Sequence, residues 1–231
     1  MTVRMGLIRK KPDWHDDDFR RHWREHHGPL AARLPGLAAY WQNAVTERLQ
    51  RGIAFARGPW DFDGFSQLTL GARVAGTSPF ADGGLADALI ADERHFLGGL
   101  HIVTAEPTEV IAPPSGPQRA RLLKRISLLR RRDGLDEDGF RREWRVHADF
   151  VRGMPGVAGY RQNVVTARER VKGQPCDYEA LPIDGIVELW FENAATLEAA
   201  FGSPQGQRTM AHAQTFLAEI TAFAVQEQRV V

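Results

Sequence analysis

Phe19-Arg20-Arg21-His22-Trp23, followed by His27, Leu34-Pro35-Gly36 and Tyr40-Trp41-Gln42-Asn43-Ala44-Val45-Thr46, decides the fold because the chain writes it a second time. The second copy reads Phe140-Arg141-Arg142-Glu143-Trp144, His147, Met154-Pro155-Gly156 and Tyr160-Arg161-Gln162-Asn163-Val164-Val165-Thr166. The offset is 121 residues at the phenylalanines and 120 at the tyrosines, so the second copy lacks one residue between Trp144 and His147. A helix tolerates that loss, since positions three and four apart share a face. Each copy is the size of a small domain, far longer than a solenoid unit of roughly 20–50 residues.

The 231 residues, 43% hydrophobic and 26% charged, fit an ordinary globular protein. Thirty basic against 29 acidic side chains create no net field that would steer the protein to nucleic acid or an acidic membrane. The single cysteine, Cys176, excludes an intrachain disulfide and suits a reducing compartment. Met1-Thr2-Val3-Arg4 lacks the apolar run of a signal peptide, and no stretch approaches a membrane span, so a cytoplasmic location is expected.

Within the first copy, Val3 to Ile8 reads as strand 1, ended by Lys11-Pro12-Asp13. Asp16, Asp17 and Asp18 suit a helix N-terminus, and Phe19, Trp23 and His27 recur every fourth residue on one helical face. Gly28-Pro29 should interrupt that helix, and Pro35-Gly36 should end it. Strand 2 is expected over Leu37 to Thr46, strand 3 over Gly64 to Leu70, helix 2 over Ala86 to Leu97 and strand 4 over His101 to Val110. The second copy repeats the order, with Ile126 to Leu129 as strand 1 and Asp184 to Phe191 as strand 3. The order βαββαβ is the ferredoxin-like plan of an α+β protein. The expected divisions are residues 1–112, a Pro-rich linker over 113–120 and residues 121–231.

Val187, Leu189 and Phe191 alternate with Ile186, Glu188 and Trp190, which puts apolar bulk on both faces of strand 3. Helices cover one face; the sheet of the other copy is the available cover for the second, giving two sheets packed face to face or a closed barrel.

The pattern Phe19-Arg20-Arg21-x-Trp23-Arg24-Glu25-x-His27-Gly28-Pro29-Leu30, Leu34-Pro35-Gly36, Tyr40-x-Gln42-Asn43, Asp63-Gly64 and Asp92-Glu93-x-x-Phe96-Leu97 resembles the EthD family of dimeric α+β-barrel proteins. Members are usually single domains of about half this length that pair into a barrel, so the resemblance implies an intramolecular version of that dimer. The second copy departs from it where Ala148-Asp149-Phe150 replaces Gly28-Pro29-Leu30 and where Met210-Ala211 is expected in place of Asp92-Glu93.

His27 and His147 are candidate acid/base groups, because imidazole titrates near working pH. The alternative is that each ties a helix kink to a backbone carbonyl. Tyr40, Gln42 and Asn43, with Tyr160 and Asn163, are candidates to hydrogen-bond a developing enolate or phenolate; the alternative is that Gln42 and Asn43 fix strand ends or the kink after helix 1. Glu188, flanked by Ile186 and Trp190, is a candidate base whose pKa burial should raise; Gln67 is its counterpart in the first copy. Trp23, Trp144 and Trp190 are candidate walls of a substrate site. Asp18, His22 and His26 share a helical stripe of metal-ligand residue types, but a solvated face accounts for them and no metal is expected. His95 and His212 carry weaker signals, and the basic stretch from Arg119 to Arg132 reads as a solvated linker and strand end. Glycine-rich dinucleotide and phosphate loops, His-Glu-x-x-His and Gly-x-Ser-x-Gly are absent.

The family resemblance implies work on small apolar organic molecules: members accompany a monooxygenase system in xenobiotic ether degradation, and relatives convert polyketide or lactone substrates without a cofactor. The expected function is therefore binding of an aromatic, lactone or polyketide-like compound with cofactor-free proton transfer, such as isomerisation, dehydration or decarboxylation. Cofactor-independent oxygenation and a non-catalytic accessory role in an oxidative pathway are the alternatives. A small-molecule ligand is the expected partner, with room for a homodimer of the two-repeat chain.

Overall fold

Alternating apolar residues make Val3–Lys10 the first strand, β1, of the computed structural model, which describes residues 2–71 and 83–231. There follow α1 (Asp16–His22), a π-helical turn (Trp23–His27), α2 (Gly28–Ala31), β2 (Leu37–Glu47), β3 (Gly64–Leu70), α3 (Gly83–Phe96) and β4 (Leu97–Ile111). A short α4 (Gly116–Ala120) leads into the second repeat. That repeat comprises β5 (Leu123–Arg131), α5 (Glu137–Arg152), β6 (Gly159–Val171), a two-residue β7 (Gln174–Pro175), β8 (Gly185–Phe191), α6 (Ala194–Gly202), α7 (Pro204–Phe216) and β9 (Leu217–Arg229). Where the first repeat has α3, the second has two helices, broken where Ser203 turns extended and its hydroxyl accepts the Gly206 N–H.

The strands form one antiparallel sheet in the order β4-β1-β3-β2-β9-β5-β8-β6, and a further β4–β6 ladder closes it into an eight-stranded barrel. Each repeat supplies a ferredoxin-like 4-1-3-2 sheet, and the last strand of each overhangs it. In β4, Leu97 to Ala105 pair with β1, while Ile102 to Ile111 pair with β6 of the other repeat. In β9, Leu217 to Val225 pair with β5, while Ala224 to Arg229 pair with β2. No main-barrel edge is left open to add strands.

Closure explains the doubly apolar strands. Val187, Leu189 and Phe191 pack beneath α5, α6 and α7, whereas Ile186 joins Met5, Leu7, Phe65, Val103, Ile126 and Phe223 inside the barrel. The helix-facing layer of the first repeat holds Phe19, Trp23, Tyr40 and Phe96. No helix among the described residues is long and apolar enough to cross a membrane.

The expected interruption at Gly28-Pro29 lies one turn earlier. Gly28 donates its N–H to Trp23 O, five residues back, so the π turn holds the one residue that separates the two copies' helix spacings. The second repeat, without that residue, runs through as the single helix α5. Pro29 sits in the first turn of α2, where its missing N–H breaks nothing. The irregularity therefore comes from residue count, with proline only accommodating it.

In both repeats a strand glycine receives the helix tryptophan. A Cβ on Gly64 would lie 2.5 Å from the Trp23 ring, and one on Gly185 2.4 Å from the Trp144 ring. Gly64→Val and Gly185→Val are each expected to lower unfolding free energy by about 1–3 kcal/mol through overpacking. Urea titration checks this, and an undiminished midpoint in both would contradict the packing described.

Candidate active site

The sheet separates the sequence-derived candidates into two groups. Along β2, Tyr40 and Gln42 face the helices while Asn43 faces the barrel; along β6, Tyr160 and Gln162 do the same opposite Asn163. Trp23, His27, Tyr40 and Gln42 thus meet in the helix–sheet layer of the first repeat, and Trp144, His147 and Tyr160 in that of the second. Gln67, Asn163, Glu188 and Trp190 lie inside the barrel with Asn43.

The barrel group is a buried charge network, in which Asn163 Oδ1 and Trp190 Nε1 have no hydrogen-bond partner among the described residues. Lys124 Nζ forms ion pairs of 2.6 Å with both Glu188 and Glu227 and donates to Asn43 Oδ1 at 2.8 Å. Asn163 donates to the other Glu188 oxygen at 2.9 Å, and Asn43 to Gln67 Oε1 at 3.3 Å. Arg119, on α4, grips Glu227 at 2.6 and 2.7 Å and stacks on Trp41 and Trp190. The expectation that burial would raise the Glu188 pKa is overturned. Burial does push it up, but the Lys124 and Arg161 charges and the hydrogen bonds of Lys124 and Asn163 outweigh it and hold the pKa at about 2. So weak a base, fully enclosed, is poorly suited to abstract a proton. Reading the Arg119 to Arg132 charges as solvated also fails: Lys124 is 1% and Arg125 2% exposed, because strand alternation turns each of them inward from one face of β5.

The helix–sheet group is organised differently. A cavity of about 60 Å³ in the first repeat is lined by Trp23, His27, Leu34, Tyr40, Leu89 and Phe96, among others. His27 Nδ1 and His22 Nε2 each lie 2.8 Å from a separate oxygen of Asp92 on α3. Burial works to raise the Asp92 pKa, but the hydrogen bonds from His27 and His22 hold it below the usual carboxylate value. An ionised Asp92 can only accept, so His27 donates to it from Nδ1, and its Nε2 has no hydrogen-bond partner among the described residues. Neither histidine candidate bonds a backbone carbonyl among the described residues; Gln42 ties the π turn by donating to Trp23 O, and Gln162 donates to the equivalent Trp144 O of the regular helix, both at 2.7 Å. Gln42 also donates to the Tyr40 hydroxyl at 3.1 Å, and burial pushes the Tyr40 pKa up to about 12, which keeps the phenol protonated. The buried Trp23 Nε1 has no hydrogen-bond acceptor among the described residues.

The second repeat has a matching cavity of about 50 Å³ bounded by Trp144, His147, Tyr160, Val151 and Leu189. Its histidine meets another: His147 Nδ1 lies 3.1 Å from His212 Nδ1, and His212 Nε2 lies 3.6 Å from Glu143. The counterpart of Asp92 is therefore His212, 120 residues on, and not Met210. Where the first repeat sets a carboxylate between two histidines, the second sets a histidine between a histidine and a carboxylate. Burial, then the His212 charge, pushes the His147 pKa down to about 3. The loop after β2 also covers this cavity. Ile53 lines it, Gln50 donates to Ile220 O at 2.7 Å, and Arg125 donates to the Gln50 and Arg51 carbonyls.

A model of the EthD domain matches residues 11–99 and again residues 132–219. The chain belongs to the EthD family. Among curated proteins none matches it. Several solved structures share the fold across nearly the whole chain. A candidate monooxygenase from Fusobacterium nucleatum aligns with TM-score 0.62 and 6% identity over 99% of this chain and 93% of its own. A candidate monooxygenase from Lactobacillus acidophilus gives 0.56 and 9% over 100% and 94%, and an anthrone oxidase-like protein 0.56 and 9% over 99% and 92%.

In this tandem EthD chain, Asp92 was read from the sequence only as part of the family pattern and His212 only as a weaker signal, yet each contacts a candidate histidine. Asp92 and His212 each lie 65 residues after the histidine they contact, in His27 and His147 respectively, and that repeated spacing was the available signal. Lys124 left none, since its first-repeat counterpart is Val3. The Asp18, His22, His26 stripe does not converge as a chelate: Asp18 pairs with Arg21 and His22 with Asp92, and no metal-holding group of three such side chains exists among the described residues.

Removing Lys124 would leave the buried Glu188 with only Asn163 and, at 3.7 Å, Arg161, so Lys124→Met is expected to cost about 3–5 kcal/mol, and adding Glu188→Gln should recover part of it. Urea unfolding of both variants tests that. His147 is neutral when folded and gains a proton near 6.5 when unfolded, so it makes stability fall as pH drops from 6.5 towards 3. Between pH 6.5 and 5, His147→Leu should flatten the fall in unfolding free energy; an identical slope would remove His147 as its source.

Proposed function

We propose that this EthD-family protein binds a small apolar organic molecule on the first repeat, with only its reacting atoms at the cavity beside His27, and catalyses proton transfer next to a carbonyl or phenol oxygen, without a cofactor. The observation that carries the reading is the His27–Asp92 pair on the wall of that cavity. His27 Nε2 accepts a proton from an acidic C–H, and ionised Asp92 stabilises the imidazolium across the 2.8 Å bond to Nδ1. The Tyr40 hydroxyl and the unpartnered Trp23 N–H supply donors for the oxygen on which negative charge develops. Returning the proton from Nε2 to another position completes an isomerisation; returning it to a leaving hydroxyl completes a dehydration. The second repeat lacks a carboxylate on His147 and keeps that residue neutral, which supports a structural role for it.

Anthrone, with an enolisable C–H beside an aromatic ketone, is a direct probe. In D2O, NMR should show its methylene protons exchanging faster with the protein than in buffer. His27→Ala should lower that acceleration by roughly 10²–10⁴-fold, Asp92→Asn should lower it too, and His147→Ala should leave it unchanged. Oxygen uptake that follows exchange would favour cofactor-independent oxygenation on the same carbanion. Binding of anthrone without exchange in the wild-type protein would instead favour the accessory-protein reading.

A further inference from the structure

The first-repeat cavity, at about 60 Å³, has room for no more than a few atoms, yet it is not isolated. Arg4, Glu93, Leu97, Leu100 and Lys172 line both this cavity and an outer groove of about 760 Å³ between α3, β4 and the β6–β7 turn. The groove is the size of a small-molecule site, whereas the second-repeat cavity is covered by the loop that carries Ile53.

The groove is chemically one-sided. Ile90, Leu97, Leu100 and Val171 give it an apolar floor, and Val171 is half exposed. The basic groups on its walls outnumber the acidic ones, with Glu93 the lone carboxylate among the described wall residues. Arg4 is occupied by a two-point pair with Glu169, and Glu93 receives Lys172 at 2.8 Å. The guanidinium groups of Arg94 and Arg170 have no ion pair or hydrogen bond among the described residues. Two uncompensated cations beside an apolar floor form a charge pattern complementary to an amphipathic anion, on a chain whose net charge is only +1.

We propose that the ligand of this groove is an organic acid: an aromatic or other apolar body lies over Leu97, Leu100 and Val171, and its carboxylate is held by Arg94 and Arg170. This rests on the first repeat being the ligand site but not on the proton-transfer chemistry assigned to His27. The probes are 2-naphthoate and 2-naphthol, which share a ring system and differ in charge at neutral pH, titrated calorimetrically into the full chain. Naphthoate should bind about tenfold more tightly than naphthol in low salt, as expected of two exposed charge contacts. The double variant Arg94→Ala/Arg170→Ala should erase that preference while leaving naphthol affinity unchanged, and raising salt should weaken naphthoate alone. Both arginines are exposed, so the fold should survive their removal. Equal affinity for the two probes, no binding of either, or naphthoate binding untouched in the double variant would overturn the proposal. His27→Ala, by contrast, should lower the acceleration of deuterium exchange into anthrone without altering naphthoate affinity, so that failure of the chemistry and failure of the anion site give different results.

Discussion

Everything in this structure depends on two backbone ladders that cross between the repeats, β4 to β6 and β9 to β2. A ferredoxin-like sheet covered on one face leaves its other face and both edges unsatisfied. Extending the last strand of each repeat beyond its own sheet lets it bond the second strand of the other, which pairs the edge amides and seals the apolar faces in one step. Fusion of the copies makes that association intramolecular, so it needs no partner chain. The α4 segment is tied into the barrel mouth by Arg119, which joins Glu227, Lys124 and Glu188 in one chain of charges.

The closed barrel also decides where chemistry can occur. Its interior is filled by apolar side chains at one level and by the Lys124 network at another, leaving the helix–sheet layers as the places with space beside polar groups. Having two such layers frees one of them to change. In the first, a residue more in the helix produces the π turn, and Asp92 meets His27. In the second, the helix is regular, His212 takes the place of Asp92, and the loop with Ile53 lies over the cavity. Duplication followed by unequal drift leaves one repeat with a histidine–carboxylate pair and the other with a pair of histidines.

Much of this was legible from residue order. The repeated Phe-x-x-x-Trp, Pro-Gly and Tyr-x-Gln-Asn motifs place helix 1 and strand 2 in both copies, because periodicity and turn residues act locally. The role of Gly64 and Gly185, which leave room for the tryptophan opposite, was not legible there, because the helix that brings the tryptophan lies elsewhere in the chain. Glu188 was misjudged for a reason of a different kind. Its sequence neighbours Ile186 and Trp190 are apolar, but the charge that sets its pKa belongs to Lys124, 64 positions away on a neighbouring strand.

The sequence by itself determined the duplication, the βαββαβ order, the need to bury both faces of the sheet and the presence of a histidine at the end of each tryptophan-bearing helix. These follow from short-range pattern, which the backbone obeys wherever the segment ends up. Only the tertiary structure decided which face of β2 each polar residue takes, that Asp92 reaches His27 while His212 reaches His147, that Lys124 neutralises Glu188, and that one cavity opens while the other is covered. Those outcomes turn on contacts between residues 50 to 170 positions apart, and a charge or hydrogen bond acts through distance in space, which residue order does not specify.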